Sequence, residues 1–344
     1  MVYFLITLYI IICSFLYSRR VMSKMAYLLL VFIPLGYLLG FRSPKMPICV
    51  DSYTYMDIFD YAVTRPLNEL WELDSYAGAE FGYLIVNKLF SYVSADYYDF
   101  QIFSALIFCL CALFFIYRDV DVANLGVAIF LGLDFYFQAY NISRQMLVTM
   151  IFALLMPLFH NRKKWIAIIL IFLLSTIHTT SLLFSIILLV DLLPSKMDKY
   201  LPLFLILILV FFEEILIAIS PLFLKYSDYF DNSGGHSFSM GLSSVFYGFL
   251  IVISLYSYYF VKSNTHRDRI NAFLSIFAIM CIFLGMKMNY MERIGILFLP
   301  YTLLTISNLY NRLPSKSRGT YNLLITALML LFFFLRAPKE YISF

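Results

Sequence analysis

Charge is what this chain has least of. Only 13% of its 344 residues are Asp, Glu, Lys or Arg, about half the share usual in soluble domains, while 62% fall in the set AVILMFWYC. A water-soluble fold of that composition would leave much apolar surface exposed and would aggregate, whereas a bilayer accepts such surface without penalty. The chain therefore reads as a polytopic membrane protein. Its basic excess is only +4, with no basic tract and no zinc-finger spacing, so nucleic acid is not expected as a partner. Cysteine is sparse as well. Of five, Cys13, Cys109, Cys111 and Cys281 sit in apolar runs and only Cys49 lies in a polar stretch, which excludes a framework of bridges. No basic segment precedes the first apolar run and no small-residue cleavage site follows it, so residues 1–17 read as a retained span. The inverted repeats that mark many secondary transporters are missing too.

What is present is a series of apolar runs, at about 1–17, 25–41, 98–117, 122–140, 145–160, 200–220, 241–261, 270–288, 294–310 and 320–335. Most approach the length a helix needs to cross a bilayer. Residues 165–193 form an eleventh apolar stretch, long for one crossing and short for two, with a polar break at Ser175-Thr176-Ile177-His178-Thr179-Thr180. Short loops rich in Lys and Arg stay in the cytoplasm, and four such loops fall at 18–24, 161–164, 262–269 and 311–319. All four lie inside only if 165–193 returns to the side it came from. The expected fold is thus all-α: a transmembrane helical bundle of about ten spans plus a re-entrant helical hairpin at 165–193, with both termini extracytoplasmic. It is expected to form one integral membrane domain over 1–344. Two outer loops are expected, one at 42–97 that contains an interfacial helix at 81–97, and one at 221–240.

A charge in mid-membrane costs about 2.5–3.5 kcal/mol even on a lenient scale, so each needs a reason. Arg42, Asp51, Glu80, Lys88, Asp134, Asn141, Arg144, Gln145, His178, Glu213, Glu214, Lys287, Glu292 and Arg293 mostly converge near the outer boundary. Arg42, Arg144 and Arg293 lie at similar depth there, and planar guanidinium groups suit phosphate or pyrophosphate oxygens. The plainer alternative is that each snorkels to headgroups or pairs with a nearby acid. His178, at the tip of the hairpin, suits proton abstraction from a hydroxyl; it equally suits a helix-packing role, bonded to a carbonyl. Glu213 or Glu214 suits a carboxylate base or the counter-charge of an arginine, and the counter-charge is the favoured reading. Asp119-Val120-Asp121 has the pattern of a metal-holding D-x-D, but it sits in a minimal cytoplasmic turn and reads as a solvated loop. Asn141-Ile142-Ser143 fits a glycosylation acceptor too close to the bilayer to be informative.

Taken in order, these landmarks resemble the EpsG-like branch of the Wzy-type bacterial polysaccharide polymerases. The resemblance runs over about residues 30–310. It is carried by G-F-R with V-D-S-Y-T-Y (Arg42, Asp51, Tyr55), E-F-G-Y-L-I-V-N-K (Glu80, Gly82, Tyr83, Asn87), N-I-S-R-Q-M-L (Asn141, Arg144, Gln145), S-T-I-H-T-T-S (His178, Ser181) and M-E-R-I-G-I-L-F-L-P-Y (Glu292, Arg293). One departure precedes Asp51, where Cys49-Val50 replaces the glycine common in the family.

The resemblance implies a multi-pass glycosyltransferase of the bacterial inner membrane. It would transfer a growing glycan from undecaprenyl pyrophosphate to the non-reducing end of a new lipid-linked oligosaccharide repeat unit at the outer face, in the manner of O-antigen polymerases. Its partners would be undecaprenyl-pyrophosphate-linked oligosaccharides, membrane lipid and a chain-length regulator protein. The donor is preactivated, so no nucleotide is needed, and neither cofactor nor metal is expected. In the implied roles, Arg144 and Arg293 hold the pyrophosphate and His178 handles the attacking hydroxyl; these three form the catalytic set. Arg42, Asp51, Tyr55, Glu80, Tyr83, Asn87, Asn141, Gln145 and Glu292 form the substrate-binding set. The rival classes are a flippase of the same lipid-linked units, which calls for charges along a central path, and another lipid-linked sugar or acyl transferase.

Overall fold

A computed structural model of the chain describes residues 2–46, 48–72, 78–159, 164–211, 214, 242–261, 265–285 and 289–337. Among these the regular structure is helical, with no strand. The expected loop at 221–240 and the side chains of Glu213 and Lys287 lie outside the described residues.

In chain order the α-helices are α1 (Val2–Ser18), α2 (Lys24–Gly40), α3 (Ser52–Thr64), α4 (Glu69–Glu72), α5 (Phe81–Ser91), α6 (Tyr97–Asp119), α7 (Ala123–Gly132), α8 (Phe135–Asn141), α9 (Ser143–Phe159), α10 (Lys164–Ile177), α11 (Ser185–Asp191), α12 (Leu201–Val210), α13 (Leu242–Tyr259), α14 (His266–Gly285), α15 (Asn289–Arg312) and α16 (Ser315–Arg336). Among the described residues 3-10 segments lie at Thr179–Phe184 and Ser195–Tyr200. Among the described residues three helices, α6, α14 and α16, are long and apolar enough to cross a membrane; α1, α2, α7, α9, α10 and α13 are shorter apolar helices. Helix starts follow local chemistry. Ser23 accepts from the Ala26 amide at 3.2 Å at the head of α2, and Asp96 accepts from the Tyr98 amide at 2.8 Å at the head of α6, each satisfying one of the amides a helix start leaves open.

Two compact units emerge, one made of residues 1–185 and 313–344, the other of residues 186–312. In the first, α2 lies along α6, α9 packs on α6, and α16 packs on α7. Beside them, α5 is braced by α3 and by α10. An aromatic core of Tyr55, Phe59, Tyr83, Tyr97 and Phe100 fills the space under α5. In the second unit, α13, α14 and α15 pack together. A methyl at Gly295 would stand 2.6 Å from the Ala278 carbonyl oxygen, so α14 and α15 meet backbone to backbone there. Buried hydroxyls tie the three helices: Ser254 and Ser275 share a hydrogen bond of 2.8 Å, and Ser275 donates to Thr302 at 3.1 Å.

The sequence leads one to expect a single run at 122–140, but the structure breaks it. Asp134 adopts a left-handed backbone (φ 71°) between α7 and α8, a conformation Asp tolerates better than most residues do. The stretch 165–193 breaks as well, ending α10 at Ile177. His178 is extended there (φ −153°, ψ 111°), and the 3-10 segment after it packs against α10. The segment at 81–97 is helical over Phe81–Ser91, leaves the helix after Ser91, and ends on Tyr97, the first residue of α6.

Candidate functional site around Glu80, Arg144 and His178

The break after α10 matters because of what it presents. At His178 the helix stops, its amide still bonded to the Leu174 carbonyl at 2.9 Å, and the next amide, that of Thr179, is left pointing outward. Glu80 takes it. The residue sits in extended conformation just before α5 and does not cap its own helix, so its carboxylate is free to reach across. Glu80 Oε1 accepts from the Thr179 amide and from Thr179 Oγ1, both at 2.8 Å, and lies 3.7 Å from His178 Nδ1. Glu80 Oε2 accepts from Arg144 Nη1 at 2.6 Å. One carboxylate thus joins the head of α5, the first turn of α9 and the break after α10.

The side chains of Glu80, Arg144 and His178 retain 16%, 13% and 13% of their exposure, neither free in solvent nor sealed in the core. An ion pair so placed falls between surface pairs, worth about 0.2–1 kcal/mol, and buried ones, whose breaking costs about 3–5 kcal/mol. The Arg144 guanidinium carbon also lies 5.1 Å from the centroid of the Tyr83 ring, and Tyr83 in turn meets Tyr55 and Phe100 edge-on at 6.2 Å. Burial pushes the Tyr83 phenol well above its ordinary range, so the ring serves Arg144 as a neutral π-face.

The sequence N-I-S-R proves dense in contacts. Tyr140, just before it, offers its ring to Arg42, whose guanidinium carbon lies 6.0 Å from the centroid. Asn141 Oδ1 accepts from the Asp51 amide at 2.9 Å, and Arg144 holds Glu80. Three residues within five, Tyr140, Asn141 and Arg144, thereby tie the 42–51 loop and the head of α5 to α8 and α9. Arg42 is 4% exposed. It donates to the Leu39 carbonyl at 2.8 Å, and the Gln101 amide group holds the Gly40 and Arg42 carbonyls at 2.8 and 3.0 Å. Cys49 is buried alongside; burial pushes its thiol up, and the Arg42 charge opposes that shift.

The other expected site residues of this unit lie deeper. Tyr55 is in the aromatic core. Asn87 is fully buried, its Nδ2 donating to the Tyr83 carbonyl at 2.7 Å, and Gln145 is 2% exposed. Lys88 donates to the Val63 carbonyl at 3.0 Å. In the other unit, Glu292 lies in the first turn of α15 with Arg293 next to it in sequence, and both are half-buried. Glu214 is exposed.

Sequence reasoning gave no role to Thr179, which supplies two of the bonds to Glu80, or to Tyr140. The signal for Thr179 was its position just past a helix break, where an amide must find an acceptor. The D-x-D pattern is engaged structurally. Arg118 Nε donates to Asp119 at 2.9 Å, and Lys24 donates to the carbonyls of Tyr117 (2.7 Å) and Val120. Among the described residues no cluster of three or more His, Cys, Asp or Glu side chains is arranged to hold a metal ion.

Comparison with curated proteins and with solved structures returns no match. The EpsG family model matches residues 25–342, nearly the whole chain and a span that contains Glu80, Arg144 and His178, and the protein belongs to the EpsG family.

Proposed function

We propose that this protein is a polymerase of the bacterial inner membrane. It would transfer a growing glycan from undecaprenyl pyrophosphate to the non-reducing end of a new lipid-linked repeat unit at the outer face. The observation that carries the reading is the meeting of Arg144 and His178 at the Glu80 carboxylate, within a chain whose family is one of membrane polysaccharide polymerases. The chemistry needs a cation for a departing pyrophosphate and a base for an attacking hydroxyl, and both types of group stand there.

In this reading the acceptor hydroxyl oxygen attacks the anomeric carbon of the donor glycan, and the bond from that carbon to the pyrophosphate oxygen breaks. The electron pair leaves with the pyrophosphate, where Arg144 stabilises the developing charge. The hydroxyl proton passes to His178. Tyr55, Asn87 and Gln145, all buried, frame the site, while Arg42, Asp51 and Asn141 shape the loop that receives the acceptor. Both substrates are anchored in lipid, so the membrane plane brings them together. The accompanying topology has about ten spans and a re-entrant 165–193, with the site and both termini outside.

The test is to delete the gene in its host and run the surface glycan on a gel. A polymerase leaves single repeat units on the anchor, and restoring the wild-type gene, but not a His178→Ala copy present in equal amount, brings back the ladder. Loss of all glycan would point to a flippase instead, and an intact ladder to another transferase.

A further inference from the structure

Arg144 has a planar fork of donors suited to a dianion, yet one arm is spent on an internal carboxylate, at 2.6 Å from Glu80 Oε2. Its Nε is buried with no hydrogen-bond partner. The guanidinium is held in place by the Tyr83 ring while part of its donor set stays uncommitted. Glu80 has a second ready partner: its other oxygen already stands 3.7 Å from His178 Nδ1, too far for a hydrogen bond and near enough to form one after a small rotation.

We propose that Glu80 is a resident competitor for the anion site of Arg144, displaced when the pyrophosphate of a lipid-linked donor arrives, and that the released carboxylate then turns to His178 and orients it. The inference rests on the reading of Arg144 as a pyrophosphate ligand. It adds that the site is closed by an internal anion at rest, and that donor binding and base positioning are coupled through one side chain. Glu80 acts here as a positioning residue. The geometry supports the exchange because the Thr179 amide and hydroxyl, both at 2.8 Å from Oε1, keep that oxygen beside His178 while Oε2 is released from Arg144. In the resting state the Glu80 charge offsets that of Arg144, so that a partly buried cation is not left bare. A pyrophosphate carries more charge than a carboxylate and fits the guanidinium fork, and so can displace it.

The test uses the full chain in nanodiscs, with farnesyl pyrophosphate as the probe and farnesol as the uncharged control. Glu80→Gln removes the competing charge and keeps the shape. The expected result is probe binding roughly three- to tenfold tighter than wild type, with slower chain growth on lipid-linked repeat units because His178 has lost its carboxylate. A purely architectural role for Glu80 would weaken both together. Equal or weaker probe binding in Glu80→Gln, with Arg144→Gln abolishing it, overturns the competitor role and leaves the Arg144 reading standing. Probe binding that survives Arg144→Gln overturns that reading itself, and no binding by any variant overturns both. Should Glu80→Gln fail to give a monodisperse protein, Glu80→Asp, whose charge is drawn back by one methylene, must show the same tightening.

Discussion

Gly82 lies so tightly against Thr176 that a methyl group at residue 82 would stand 2.7 Å from the Thr176 carbonyl oxygen. The obstacle is backbone and cannot swing aside. Two residues before Gly82 is Glu80, and three after Thr176 is Thr179, so this contact sets the distance across which Glu80 reaches the broken end of α10. Gly82→Ala is expected to push α5 and α10 apart at a cost of about 1–3 kcal/mol. It should also open the bonds of Glu80 to Thr179. The measurement is the thermal midpoint in nanodiscs together with the glycan ladder. Both should fall, and an unchanged ladder would show that the close approach does not serve the site.

The ion pair at 2.6 Å separates two roles of Arg144. A lysine keeps the charge but loses the fork and the flat contact with Tyr83. Arg144→Lys should therefore stay in the membrane at normal amount and lose roughly 10- to 100-fold in polymer output. The exchanged pair, Glu80→Arg with Arg144→Glu, can rebuild the attraction without returning the cation to its place, and should keep normal abundance but lose polymer. Wild-type polymer from the exchanged pair would reduce the contact to a fold-stabilising one.

Much of the helical order was legible because hydropathy reads bilayer-scale runs directly. The runs at 98–117 and 320–335 correspond to α6 and α16, each within a few residues at its ends. The residues of the site were legible as polar exceptions to that apolar background, since an unpaired charge there is costly. Which exception meets which was not. That Glu80 serves Arg144 and Thr179 at once depends on packing between α5 and α10, and a single sequence carries no trace of a contact 64 or 99 residues away. The division of 122–140 was hidden for a different reason. Its apolar residues continue through the break, and only Asp134 marks where the backbone turns.

Cys49 offers a probe of the 42–51 loop. Its thiol is pushed up by burial despite the nearby Arg42 charge, so at a given pH less of it is thiolate than in the unfolded chain, and thiolate is the reactive form. In a protein whose other four cysteines are replaced, labelling by a charged maleimide should be slow near neutrality. It should rise only at a pH above that of an unfolded thiol, about 8.5. Arg42→Gln removes the opposing charge and should move the curve further up. Labelling at pH 7 as fast as in urea would mean that the loop is open and Arg42 does not face Cys49.

Asp134 joins α7 to α8 with a left-handed backbone, accepts from Gln138 Nε2 at 3.1 Å and has Arg336 near it as a counter-charge. Three substitutions weigh these contributions. Gly relieves the backbone and gives up the side-chain bonds. Asn tolerates the same backbone and keeps an acceptor for Gln138 while losing the charge. Ala gives up both, and in the left-handed region costs about 1 kcal/mol more than Gly. The thermal midpoint should therefore fall least for Asp134→Asn and most for Asp134→Ala, with Asp134→Gly between them. If Asp134→Gly were as damaging as Asp134→Ala, the backbone would contribute little, and the side-chain contacts with Gln138 and Arg336 would be what holds the join between α7 and α8.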